Sequence, residues 1–293
     1  MAYAHIRRVG FEQSSLPSEA SHPVSARREV TDISQPEWQT QLPAPPGASL
    51  GNRLLNAVPT AEYALLRPHL ARIALSQGEV LYRAEEQLAH VYFPTDALIA
   101  LVGATAAGGT LETGLVGDEG MAGLPVFWGA TSAPYMSVIR QAGEALRMRA
   151  DVFRRKANDA VRLRELLLFY TNLSFNYAAQ TAVCNRLHVL EKRMATWLLT
   201  TRDRLGRNDF DFTHDLIASS LGVRRSGVSV EMEKFAGAGW LRLRRAQIRI
   251  VDGKGLLTAA CECYGVIKAE FEQYLRSCVN SALPPGLYAS QAV

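Results

Sequence analysis

Phe212-Thr213-His214-Asp215-Leu216-Ile217-Ala218-Ser219-Ser220-Leu221-Gly222-Val223-Arg224-Arg225-Ser226-Gly227-Val228-Ser229-Val230-Glu231-Met232 is the stretch on which the reading turns. Leu216, Ile217 and Leu221 recur at the spacing of one buried helical face. Thr213 stands where a side-chain oxygen is needed to satisfy a free N–H at a helix start. Ala218 is small, as close crossing of two helices requires, and Gly222 permits the tight turn between them. Val223, Val228 and Met232 then anchor a second helix, running to about Ala236. The pattern predicts a helix-turn-helix.

Arg224, Arg225, Ser226 and Ser229 fall near the start of that second helix. In a helix-turn-helix this is the part that reaches base edges in the major groove of double-stranded DNA. Arg225 is the expected guanine reader, with Arg224 on a base or a phosphate. Thr213 and His214, at the start of the first helix, complete the expected DNA-facing set. Gly237-Ala238-Gly239 breaks the chain, and two short strands, Trp240 to Leu243 and Gln247 to Val251, follow. Arg244 and Arg245 in their turn are expected to touch the DNA backbone as a wing. Between 201 and 255 the chain has eleven basic residues against seven acids, an excess equal to its whole formal net charge of +4. Such a localised excess is the electrostatic footprint of nucleic-acid binding.

Upstream, no glycine or proline occurs from Asp151 to Leu205, and helices are expected. Leu163, Leu166, Tyr170, Leu173, Tyr177, Gln180 and Cys184 follow three- and four-residue steps over about three heptads. Two readings fit: a core stripe within the chain, or the seam of a parallel homodimer. The helix length favours the dimer, because a small β unit would leave part of the stripe exposed. Between 73 and 150, short apolar runs alternate with turns such as Gln77-Gly78, Gly108-Gly109 and Gly117-Asp118-Glu119-Gly120. They predict a closed or rolled antiparallel β unit. Residues 51–72 read as short helices. Residues 1–50 hold six of the thirteen prolines and read as a disordered arm.

With 293 residues, 48% hydrophobic and 20% charged, the chain is expected to hold about two globular domains. Met1 to Ser15 lacks an apolar signal-peptide core, and no run of about 18 apolar residues could span a membrane. A cytoplasmic protein is expected.

The chain resembles the Crp/Fnr family of bacterial transcription regulators over about residues 51–255. Ser76-Gln77-Gly78-Glu79-Val80-Leu81 is similar to the family's first roll turn. Val116 to Leu124 is similar to the segment entering its phosphate-binding cassette, and Leu221 to Ser229 to its recognition-helix entry. The resemblance implies an α+β fold. Residues 51–160 would form a cyclic-nucleotide-binding-like β-roll of jelly-roll type, and 161–205 the dimerisation and connecting helices. Residues 206–280 would form a winged helix-turn-helix, with a tail at 281–293. It implies a homodimer on a pseudo-palindromic operator, with RNA polymerase as a further partner. Arg225 matches the guanine-reading arginine of the cyclic-AMP-responsive members, whereas Ser226 replaces a glutamate and Val230 an arginine. The family's nucleotide site needs a Phe-Gly-Glu-type turn and a later phosphate-binding arginine. Here Leu124 follows Gly123, and Ser132-Ala133-Pro134-Tyr135-Met136 holds no arginine. No cyclic nucleotide is therefore expected. No cysteine precedes Cys184, so the family's N-terminal iron–sulfur cluster is not expected either.

No catalytic constellation emerges. Gly47-Ala48-Ser49-Leu50-Gly51 fits a nucleophile pattern, but Pro45-Pro46 stands where a strand is needed. No metal site is expected. The six histidines lack zinc spacing, and Cys261-Glu262-Cys263, read as helical, would point its sulfurs to different faces. The rival to a DNA-binding regulator is a ligand-binding or protein-interaction module whose helix-turn-helix has lost DNA.

Overall fold

The computed structural model describes residues 51–279. The arm, the nucleophile-like motif up to Leu50, residue 280 and the tail lie outside them. Two short helices, α1 (Arg53–Asn56) and α2 (Thr60–Leu66), open the described chain. Asn52 caps α1 by accepting from the Leu55 N–H, and its amide donates to the Pro94 and Gly120 carbonyls. That buried amide ties the helix to the strands behind it.

The strands are β1 (Ala71–Leu75), β2 (Val80–Tyr82), β3 (His90–Pro94), β4 (Leu98–Ala104), β5 (Thr110–Val116), β6 (Met136–Gln141) and β7 (Gly143–Arg149). They form two antiparallel sheets, β1-β7-β3 and β2-β6-β4-β5. Only Ala142 separates β6 from β7, so the chain crosses from one sheet to the other there. This is the rolled β unit expected from the turn spacing. β4 is apolar without alternation because both of its faces are covered. Ile99 joins the core inside the roll, while Leu98, Ala100 and Val102 join the core of the helix-turn-helix.

Helix α3 (Ala150–Asp159) leads into the long α4 (Val161–Leu187), then α5 (Leu190–Leu205). The C-terminal part runs β8 (Asp209–Phe210), α6 (His214–Leu221), α7 (Arg225–Gly237), β9 (Leu241–Arg244), β10 (Gln247–Ile250), α8 (Gly253–Ala259) and α9 (Glu262–Val279). The helical reading of Cys261-Glu262-Cys263 is thus corrected: α8 and α9 are two helices, parted at Ala260-Cys261.

That division corrects the dimer-seam reading. Leu163, Leu166, Tyr170, Leu173 and Tyr177 are all buried within the chain. Their cover is the roll together with α9, which runs antiparallel along α4. Gln180 donates to the Cys263 sulfur, Asn176 to Glu270, and Arg162 to the Ser277 carbonyl, while the Tyr170 and Tyr274 rings pack 5.8 Å apart. The stripe is an intrachain seam, and its periodicity is satisfied by the chain's own roll and last helix.

The glycine-rich segment Gly117–Gly120 is likewise internal. A side chain on Gly120 would lie 2.2 Å from the Tyr170 ring. Glu119 and Arg204, both buried, form an ion pair, and Arg204 lies over the rings of Tyr177 and Phe271. Here the cassette-like segment holds the roll to α4 and α5.

Candidate nucleic-acid interface

Thr213 caps α6: its hydroxyl oxygen accepts from the Leu216 N–H at 3.1 Å. Gly222 ends α6 at φ 62°, and a side chain there would also press on Leu111 of the roll at 3.1 Å. Ile217, Leu221, Val228, Met232 and Phe235 close the core between α6 and α7. The helix-turn-helix drawn from the sequence is therefore present with its expected cap, turn and core.

The first turns of α6 and α7 meet. His214 Nδ1 and Ser229 Oγ lie 2.9 Å apart, and Ser229 also donates to the Arg225 carbonyl. These two predicted DNA contacts thus also hold the helices in register. Arg225 is exposed and pairs with Asp215 at 3.3 Å, across solvent that weakens the pair. Arg224 and Ser226 are exposed at the α7 N-terminus, where free N–H groups and the helix dipole favour an anion. Val230, one turn beyond Ser226, is 63% exposed. Arg244 ends β9 and Arg245 opens the two-residue turn before β10; both are exposed, and Arg245 is left-handed at φ 44°. Arg224, Arg244 and Arg245 make no ion pair among the described residues.

The basic excess is smaller at this surface than the count implies. Arg204 is buried against Glu119, and Lys234 is paired with Glu191. Arg249 donates twice to Asp209, at 2.6 and 3.0 Å, and holds that carboxyl below its ordinary pKa.

One group that the sequence reading missed supports the interface from behind. Glu112 of β5 is buried and accepts from Arg140, Trp197 and Ser220 at 3.0, 2.7 and 3.0 Å. Arg193 of α5 donates to the carbonyl of Leu221, next to the turn glycine. The roll therefore holds the turn of the helix-turn-helix directly.

A cavity of about 270 Å³ lies between β5, the Met121–Leu124 segment and α4. Its walls are mostly apolar, with Leu101, Met121, Leu124, Trp128 and Phe175 among them. Burial pushes the phenols of Tyr170 and Tyr177 well up, so both line it as neutral groups. Arg204 is the cation on the wall, and it is already committed to Glu119. His69 and His90 do not line it.

The comparisons agree with this geometry. Residues 192–259 match the Crp-like helix-turn-helix domain family. FixK2 from Bradyrhizobium japonicum superposes with a TM-score of 0.58 at 16% identity, covering 66% of this chain and 98% of its own. A Crp/Fnr-family transcriptional regulator from Eubacterium rectale gives 0.57 at 19% identity, covering 72% and 99%. The c-di-GMP-responsive global regulator CLP of Xanthomonas campestris gives 0.56 at 12% identity, covering 66% and 100%. No curated protein matches the chain significantly. The resemblance to the Crp/Fnr family is borne out: the fold is that of its transcription regulators, and the C-terminal part is a Crp-like helix-turn-helix domain. No described helix is long and apolar enough to cross a membrane.

Proposed function

We propose that this chain is a homodimeric, non-enzymatic, cytoplasmic transcription regulator that reads a pseudo-palindromic operator in double-stranded DNA. The observation that carries this is the start of α7, where Arg224, Arg225 and Ser226 stand exposed beyond the Gly222 turn. Arg225 reads a guanine through O6 and N7, exchanging Asp215 for the base. Val230 meets a thymine methyl, and Arg224, Arg244 and Arg245 hold phosphates.

The dimer forms on the open face of α4. Val161, Leu168, Phe175 and Val183 are 66, 46, 70 and 46% exposed, at steps of seven, seven and eight. That is a second heptad stripe, roughly opposite the one α9 covers. Pairing it in parallel would set two α7 helices about one DNA turn, ~34 Å, apart. RNA polymerase is the partner through which a bound dimer would act.

The roll acts as the sensor. Phe175 belongs both to the cavity wall and to the open stripe, so a ligand there would bias the dimer. With its one cation neutralised by Glu119, the cavity suits a small uncharged ligand and not a cyclic nucleotide. Calorimetry is expected to show no micromolar affinity for cyclic AMP or cyclic GMP.

Selection from random duplexes by the purified chain, without added ligand at physiological salt, tests the main reading. An enriched inverted repeat, whose binding falls linearly in log–log salt, is the expected result. A folded dimer that enriches nothing, with any of the small apolar ligands tried, would favour the interaction module instead.

A further inference from the structure

Cys184, His188, Cys261 and Cys263 come together at one place. Their four donor atoms all lie within 4.8 Å of one another. Cys184 sits in the last turn of α4 and His188 just past its end, where the chain turns into α5. Cys261 precedes α9 and Cys263 lies in its first turn. Because Cys261 is outside the helix, the two sulfurs of Cys261-Glu262-Cys263 converge, which a continuous helix would forbid. The expectation of no metal site rested on that continuous helix.

The spacing fits a single ion. With metal–sulfur bonds of ~2.3 Å and a metal–nitrogen bond of ~2.0 Å, a tetrahedral site holds two sulfurs ~3.8 Å apart and a sulfur and nitrogen ~3.5 Å apart. Cys184 Sγ to Cys261 Sγ is 3.5 Å, and Cys263 Sγ to His188 Nδ1 is 3.5 Å. An iron–sulfur cubane binds each thiolate at a different corner, and would need these sulfurs farther apart.

The surroundings are those of a metal site as well. Glu262 Oε1 lies 3.2 Å from His188 Nε2, which leaves Nδ1 as the ligating nitrogen. Gln180 donates to the Cys263 sulfur at 3.1 Å, and the Thr196 hydroxyl lies 3.2 Å from the Cys261 sulfur. The three cysteines are buried and form their own small cluster, apart from both main cores. Mere packing of sulfurs would require neither the imidazole, nor its carboxylate, nor polar groups aimed at two of the sulfurs.

We propose that Cys184, His188, Cys261 and Cys263 bind one divalent ion of zinc type in a closed, tetrahedral structural site. The thiols release their protons to solvent as the ion enters, and all four positions are filled by protein. The ion joins the α4–α5 hinge to the α8–α9 junction, and so fixes the helix-turn-helix against the long helix. This inference stands apart from DNA binding, because the metal is measured without DNA.

The test uses the full-length chain, reduced and metal-free, titrated with Co²⁺. The expected result is the visible spectrum of tetrahedral thiolate cobalt, saturating at one equivalent per chain and bleached by Zn²⁺. Zinc should also raise the melting temperature, and a chelator should reverse the rise. Cys184→Ser and Cys263→Ser should abolish the spectrum, and Cys278→Ser should leave it intact. Glu262→Gln keeps all four ligands, and should weaken the ion's affinity by about 10–100-fold. A folded, reduced wild-type chain without these bands would overturn the site. So would loss of the bands in Cys278→Ser, or recovery of iron with acid-labile sulfide.

Discussion

Helix α4 has two apolar faces with the same kind of spacing and opposite surroundings. On one face Leu163, Leu166, Tyr170, Leu173 and Tyr177 are buried; on the other Phe175 is 70% exposed and Leu168 46%. A heptad repeat reports that a helix carries a stripe, not what lies against it. The difference is made about 90 residues later, where α9 folds back and takes the first face. The arginines divide the same way: Arg204 is buried with its partner, while Arg225 and its partner Asp215 are both exposed.

The largest effects should come from the covered face. Phe271→Ala in α9 removes a buried ring that lies against Arg204 and should cost about 3–5 kcal/mol in urea denaturation. Arg204→Met leaves Glu119 charged and unpaired in the core, and should cost a similar ~3–5 kcal/mol. If either variant instead separated a dimer and left the subunit's stability unchanged, the assignment of the two faces would be reversed.

Phe175→Glu probes the open face. Removing one phenyl ring from each copy should weaken the dimer by about 3 kcal/mol, from ~1.5 kcal/mol per ring. The stability of the single subunit should change by no more than about 0.5 kcal/mol, because the side chain is exposed in it. Sedimentation at a series of concentrations, beside denaturation of the dilute chain, separates the two quantities.

What was legible in the sequence was local. The strand spacing, the Thr213 cap, the Gly222 turn and the α6–α7 core are decided by neighbours within about one turn or one strand. The partner of the α4 stripe was not legible, because α9 lies beyond the whole helix-turn-helix domain in the chain. Glu112 was missed for the same reason: its partners are 28, 85 and 108 residues away. The cysteine cluster left a fainter trace. Cys184 and His188 stand four apart at a helix end, a spacing that puts two ligands on one face. The pair was hidden by reading Cys261 into a helix that begins one residue later.

Next in size is the exposed arginine of α7. Arg225→Ala should cost about 1–3 kcal/mol per half-site on the selected operator and relax preference at one base pair. Its effect on folding should be small, since the Asp215 pair it breaks is exposed. Binding that weakens equally on every sequence would make Arg225 a phosphate contact and shift base reading to Ser226 and Val230.

The smallest effect is also the most pointed, because stability and binding should move in opposite directions. Arg245 holds φ 44° in the β9–β10 turn, a conformation that costs a side chain roughly 1–2 kcal/mol and glycine little. Arg245→Gly should therefore raise the melting temperature slightly. It should also weaken DNA binding about equally on all sequences, and lower the magnitude of the log–log salt slope by about 1. A turn that gains stability while the protein loses affinity would identify Arg245 as a phosphate contact that offsets local strain. If the slope is unchanged, the wing does not touch DNA, and the interface is confined to the first turns of α6 and α7.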